Sequence, residues 1–144
     1  MNTIRHILQL KGHDVWSVAP ETSVLDALRL MADKGIGALL VMEGDRLAGI
    51  VSERDYARKV VLQGKSSKET PVGEIMTRQV FTIHPDQTVE EATDIMVSHH
   101  IRHLPVIDDN RVIGVISIMD TSRLIIYSQR ETIRALEAQV LAKK

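Results

Sequence analysis

The apolar positions of this chain alternate between a helical and a strand period, and the whole series runs twice. Residues 3–11 place Ile4, Ile7 and Leu8, with the stem of Lys11, on one helical face ahead of Gly12. Residues 15–18 predict a short strand ended by Pro20. Ser23 and Asp26 read as a capping pair, and Val24, Ala27, Leu28 and Met31 follow helical spacing up to Gly35. Strands are predicted over 37–42 and 47–52 around a Glu43-Gly44-Asp45 turn, and a helix over 53–62. Residues 63–70 are a polar, flexible linker, and 71–76 a short helix or turn. The order then repeats. A strand lies over 80–83, a break at Pro85, a capping pair at Thr88 and Glu91, and a helix face at Val89, Ala92, Ile95 and Met96. Strands over 101–107 and 111–117 flank the Asp108-Asp109-Asn110 turn, and helix resumes from Asp120. A last helix over 128–141 carries a thin stripe of Ile133, Leu136 and Val140 between charges.

The two series share one offset without a gap, 65 positions (114 − 49). Between Pro20 and Asp55 eleven residues recur at that offset: Pro20, Val24, Ala27, Met31, Ile36, Leu39, Val41, Arg46, Gly49, Ser52 and Asp55. Composition alone would match about two. The strongest twin is Gly49-Ile50-Val51-Ser52-Glu53-Arg54-Asp55 with Gly114-Val115-Ile116-Ser117-Ile118-Met119-Asp120, a buried strand running into a helix start.

Composition narrows the function classes. The 144 residues are 44% hydrophobic and 26% charged with a formal net charge of −1, which suits one globular unit with a real core. That balance argues against a general nucleic-acid binder, and 3% aromatic residues leave no stacking platform. With no cysteine there is no disulfide, thiolate nucleophile or Cys-type zinc site, which suits a reducing cytoplasm. The first residues carry no signal-peptide pattern, and no apolar run approaches the ~18 residues of a membrane span. There is no phosphate-binding Gly-x-x-x-x-Gly-Lys loop, and Gly35-Ile36-Gly37 is too short for a dinucleotide fingerprint. No nucleophile–base pair stands out, so an enzyme is not expected. His99, His100 and His103 lack a carboxylate at zinc spacing, so no metal is expected.

Two strand-helix-strand-strand-helix units of about 60 residues, each ending in Gly-h-h-Ser-x-x-Asp, together with Leu104-Pro105-Val106-Ile107-Asp108, resemble a tandem pair of CBS domains, a Bateman module. The resemblance covers residues 14–125. It implies an α+β fold of two βαββα repeats related by a pseudo-two-fold axis, with extra N- and C-terminal helices. The expected divisions are 1–13, repeat one over 14–62, a linker over 63–76, repeat two over 77–127, and a terminal helix over 128–144. It also implies a non-catalytic regulatory module with an adenine nucleotide (AMP, ADP, ATP or NAD(H)) in the cleft between the repeats, and a homodimer through the helices that follow the motifs. An effector protein would read its state.

The residues implied for that site are Ser52 and Asp55 in one copy, Ser117 and Asp120 in the other. An ionised carboxylate can accept both cis hydroxyls of a ribose, and a helix start offers N–H groups to an anion. Arg54, Arg102 and His103 are the phosphate candidates, with Arg123 standing in where the second motif has Ile118-Met119. Gly37 and Ala38 match Arg102 and His103, so the two sites are unequal. Ser17 and Thr82 on the first strands, and Ala38 and Ile101 at the starts of the second, complete the set. The rival readings are an interaction domain with vestigial pockets, in which each Asp is only a helix cap, and, less favoured, a hydrolase or a nucleic-acid binder.

Overall fold

Hydroxyl side chains start the helices. In the computed structural model, which describes residues 2–143, Thr3, Ser23 and Thr88 accept hydrogen bonds from the amides of His6, Asp26 and Glu91 at 3.4, 3.1 and 3.0 Å. The reciprocal half of the capping box expected at Ser23 and Thr88 does not form. Asp26 pairs instead with Arg29 at 3.2 Å, and Glu91 accepts from Gln87 at 2.8 Å. The helices so opened are α1 (Ile4–Lys11), α2 (Val24–Lys34) and α5 (Val89–Ser98).

Repeat one comprises β1 (Ser17–Val18), α2, β2 (Ala38–Glu43), β3 (Arg46–Ser52) and α3 (Glu53–Tyr56), which continues as a π turn over Ala57–Val61. The short α4 (Val72–Ile75) follows. Repeat two comprises α5, β4 (His103–Asp108), β5 (Arg111–Ser117) and α6 (Ile118–Ala142). Strands β2 and β3 pair antiparallel, as do β4 and β5, and each pair has a register shift at the equivalent place, Val41/Met42 and Val106/Ile107. Position 128 lies inside α6, which runs unbroken for 25 residues.

The strand expected over 80–83 shrinks to one bridge, Ile83 to Val106. Proline explains the loss. In repeat one β1 runs parallel to β2 and the Leu40 amide donates to the Trp16 carbonyl at 3.3 Å. The residue 65 positions after Leu40 is Pro105, which has no amide to give. The next contacts survive: Ile83 donates to Pro105 O at 3.0 Å, and Ile107 donates to Ile83 O at 2.9 Å.

The two repeats exchange helices. Helix α1, ahead of repeat one, buries Ile4, Ile7 and Leu8 in the core of repeat two with Ile83, Leu104 and Ile116. Helix α4, ahead of repeat two, buries Val72, Ile75 and Met76 in the core of repeat one with Leu39 and Val51. The backbone bonds match one for one. Ile4 and Arg5 donate to Gln87 O and Pro85 O, and Val72 and Gly73 donate to Thr22 O and Pro20 O. This crossed packing gives the pair its pseudo-two-fold symmetry.

The glycines of the repeated motif serve that packing. They were expected to let strands approach one another. At Gly114 what approaches is the Leu8 side chain of α1, and at Gly49 it is Met76 and the backbone of Thr77, just past α4. A Cβ on Gly114 would stand 2.6 Å from Leu8 Cδ2, and one on Gly49 would stand 2.8 Å from both Met76 Sδ and Thr77 O. Gly49→Ala is therefore expected to cost about 1–3 kcal/mol through overpacking, measured as a lower denaturation midpoint. An unchanged midpoint would show that the backbone can give way.

The segment over 63–70 is not a loose tether. Val24 N donates to Thr70 O, Leu25 N to Ser67 O and Lys65 N to Val60 O, each at 2.9 Å, and Thr70 is buried. The segment caps α2 and closes the turn after α3.

Candidate functional site

At the end of β3 and of β5 the chain makes the same turn. Ser52 Oγ accepts from Asp55 N at 3.2 Å, while Asp55 Oδ2 accepts from Ser52 N at 2.9 Å and from Ser52 Oγ at 3.1 Å. Ser117 Oγ accepts from Asp120 N at 3.2 Å, and Asp120 Oδ2 accepts from Ser117 N at 2.8 Å. Both are complete reciprocal capping boxes with Asp in place of Glu. The short Asp side chain turns its carboxylate back over the helix start, leaving the side chains only 12% and 15% exposed.

Each carboxylate has a lysine partner. Lys59, on the π turn, approaches Asp55 Oδ1 at 2.9 Å and donates to Ile75 O at 2.9 Å. Lys11, at the end of α1, donates to Asp120 Oδ2 at 2.7 Å and to Val115 O at 3.0 Å. In Asp55 both oxygens are engaged. In Asp120 the capping amide and Lys11 share Oδ2, and Oδ1 has no hydrogen-bond partner among the described residues. The second carboxylate is therefore the one with an acceptor to spare.

Around Asp120 the structure gathers most of the expected groups. His103 on β4 pairs in register with Ser117 on β5. The carbonyl of Arg102 accepts from Ile118 N at 2.9 Å, which fixes the approach to the β4 strand, and the Arg102 side chain is exposed. Burial pulls the His103 pKa below its ordinary 6.5, with the charge of Lys11 adding to the fall, Asp120 opposing it and Arg102 adding a smaller push. His103 is thus neutral at pH 7. Burial pushes Asp120 upward, but the hydrogen bond from Lys11, the Ser117 amide and the Lys11 charge outweigh it and hold the carboxyl below its ordinary range. The signs of the linked stability follow. His103 favours the native state above pH 6.5 and penalises it as pH falls below, because the unfolded chain then binds the proton more readily. The contribution of Asp120 is present above 3.8 and lost below it. Melting temperature is expected to fall between pH 7 and about 5, and His103→Gln to flatten that slope. An identical slope in the variant would contradict the assignment.

Around Asp55 the surroundings differ. Ala38 pairs with Ser52 across β2 and β3, and the carbonyl of Gly37 accepts from Glu53 N at 3.1 Å. No strand cation stands there. Arg54 reaches across to repeat two, donating to His100 O at 3.3 Å, and His100 has a positive φ of 54° at the turn after α5. Arg54 is exposed and joins the two repeats at this point.

The remaining candidates are less engaged. Ser17 and Thr82 are exposed on the first-strand segments, and neither hydroxyl bonds a motif residue. Ile101 packs against the core of repeat two. Arg123 is exposed on α6. His99 stacks on Phe81 with ring centroids 3.9 Å apart. Among the described residues no three His, Cys, Asp or Glu side chains are grouped to hold a metal, and no helix is long and apolar enough to cross a membrane. Two surface hollows lie elsewhere, one at Asn2, Val89 and Ser128 and one along the outer half of α6.

Lys11 and Lys59 are the partners of the Asp120 and Asp55 carboxylates that sequence reasoning missed. Lys59 had a signal, the i,i+4 spacing from Asp55 on a helix. Lys11 had none, since 109 residues separate it from Asp120.

The model of the CBS domain matches residues 5–62 and again 72–127. The chain belongs to the CBS family. It is a tandem CBS pair of mixed α+β fold. The mitochondrial CBS domain-containing protein CBSX3 of Arabidopsis thaliana is 39% identical over an alignment that covers 96% of this chain and 71% of the relative. A solved protein with CBS domains from Burkholderia ambifaria is 50% identical with a TM-score of 0.86, the match covering 89% of this chain and 96% of that one. The CBS domain pair of protein MJ0100, solved in complex with 5′-methylthioadenosine and S-adenosyl-L-methionine, is 29% identical with a TM-score of 0.78, over 89% and 98% of the two chains.

Proposed function

We propose that this CBS pair is a non-catalytic sensor of an adenine nucleotide, with the Asp120 site as its principal seat. The observation that carries the reading is the spare Oδ1 of a charged, largely buried carboxylate, set at a helix start beside Lys11, with Arg102 next to His103 on the neighbouring strand. A carboxylate so placed can take ribose hydroxyls, and the two cations suit a phosphate. The adenosine compounds held by the CBS pair of MJ0100 support the adenine half of the reading. With His103 neutral, the fixed charge near the site is Lys11 and Arg102 against Asp120, which favours anionic AMP, ATP or NAD(H) over a sulfonium compound. Ser52 and Asp55, with Ala38 on the facing strand, form a second, weaker site in which ribose must compete with Lys59. Arg54 serves phosphate at this site by giving up His100 O, and Ser17 and Thr82 contact the ligand from the first strands. Binding shifts the balance between two arrangements of the repeats, and a homodimer or an effector protein in the cytoplasm reads the change.

Lys11 gives a test. Lys11→Met is expected to weaken AMP binding about tenfold while leaving adenosine within about threefold of the unaltered chain, measured by calorimetric titration. Equal losses for the two ligands would show that Lys11 does not meet phosphate.

A second reading has its own observation. Both signature carboxylates already complete a capping box and a lysine pair without any ligand. On that reading the module is an interaction domain whose pockets are vestigial, and no adenine compound raises its melting temperature.

A further inference from the structure

His103 is half-buried at the start of β4, yet neither of its ring nitrogens has a hydrogen-bond partner among the described residues. No buried polar side-chain atom there is left unpaired, so both nitrogens open to the solvent of the site. The strand register sets the residue beside Ser117, and the charges that act on the ring are Lys11 from α1, Asp120 from α6 and Arg102 next to it in the chain. The segment over 80–83 brings no charge to β4. At the end of α5, His99 is stacked on Phe81 and the His100 carbonyl holds Arg54. In repeat one the equivalent residue is Ala38. We infer that His103 takes up a proton when a phosphate enters the Asp120 site, so that nucleotide binding there strengthens as pH falls. This rests on the proposed function and deepens it by naming a second input, the proton.

Charge balance drives the uptake. Without ligand, Lys11 and Arg102 outnumber Asp120 by one positive charge, and a proton on His103 would add another. Burial opposes that charge as well, so the free ring stays neutral at pH 7. A phosphate dianion reverses the sign of the site, and a single proton on His103 then brings it to neutrality. The hydrogen bonding agrees. A neutral imidazole has one donor and one acceptor, and an acceptor nitrogen has nothing to offer a phosphate oxygen, whereas an imidazolium has two donors. The sign follows from linkage. The complex binds more protons than the free chain, so affinity rises as pH falls through the range in which only the complex is protonated. It is level where the ring is neutral in both states. Adenosine brings no charge and draws no proton. The Asp55 site has Ala38 in that place and no proton to take, so the pH profile also tells which site is filled.

The test titrates the full chain and its His103→Gln variant with AMP and with adenosine, by calorimetry from about pH 7.5 down to about pH 5.5, the range around the ordinary imidazole value. The AMP phosphate itself titrates near pH ~6. That change is common to both chains and cancels in the ratio of their affinities. For AMP, the affinity of the unaltered chain relative to His103→Gln is expected to rise about tenfold across the range, the effect of a close opposite charge on an imidazole. For adenosine the ratio is expected to stay level. A second measurement needs no variant. NAD, whose bridging pyrophosphate lacks the ionisation near pH ~6, is titrated into the unaltered chain in two buffers of different ionisation heat, and net proton uptake is expected. An AMP ratio that does not change with pH, an equal rise for adenosine, or NAD binding without proton uptake would each overturn the inference and leave the sensor reading standing. No binding of AMP or NAD at any pH would overturn both.

Discussion

Truncating Leu8 to alanine is expected to destabilise the chain by about 2–5 kcal/mol, a large part of the 5–15 kcal/mol typical of a domain. Leu8 lies on α1, an eight-residue helix ahead of the first repeat, yet it is 1% exposed and fills the core of the second. Its Cδ2 occupies the space that any Cβ on Gly114 would need. Removing the side chain leaves a cavity bounded by β5, whose backbone is held by β4 and cannot collapse far. The same contact predicts a non-additive cycle. Gly114→Ala alone is destabilising by overpacking, while Gly114→Ala in the Leu8→Ala background fills part of the cavity and costs much less. Denaturant midpoints of the four chains measure this. Additive losses would mean that helix α1 does not sit on the second repeat.

The second large effect falls on ligand affinity. Asp120→Ala is expected to weaken adenine-nucleotide binding by roughly a hundredfold or more, since each charge-assisted bond to a ribose hydroxyl contributes about 1.5–3 kcal/mol. It also removes the acceptor of the Ser117 amide and the partner of Lys11, so about 0.5–2 kcal/mol of stability goes with it. Asp120→Asn separates the two. It keeps an oxygen for the Ser117 amide and the shape of the turn, and loses the charge. The asparagine chain should melt close to the unaltered one and still bind poorly. Asp55→Ala should cost less affinity, because both oxygens of Asp55 are already committed to Ser52 and Lys59. Full affinity in Asp120→Asn would remove the ribose role.

Much of this architecture was legible in the sequence because the repeat keeps its offset through every element. Matched residues such as Val24 with Val89 and Gly49 with Gly114 hold equivalent places in the structure. The helix exchange was not legible. Helices α1 and α4 are equivalent at a different offset, 68 (72 − 4), and over Ile4–Leu8 only Ile7 recurs, as Ile75. The amphipathic face of α1 could be read from its spacing, but nothing local says which repeat it covers. The shortened first strand of repeat two could have been read from Pro105, because a parallel neighbour needs the amide that proline lacks. Within the site, the Ser–Asp turns were readable as helix starts. The lysine on Asp120 arrives by tertiary packing from the other end of the chain.

The measurement that tests the central claim most directly is a thermal-shift series on the unaltered chain and on Asp120→Asn, with adenosine, AMP, ADP, ATP, NAD, NADH, S-adenosylmethionine and GTP. A ligand at ~100 times its dissociation constant adds about 2.7 kcal/mol to the native state, a shift of several degrees for a chain of this size. The account predicts shifts with the anionic adenine compounds, little with GTP, and much smaller ones in Asp120→Asn, where only the weaker Asp55 site is intact. No shift with any compound, or the same shifts in both chains, would contradict it.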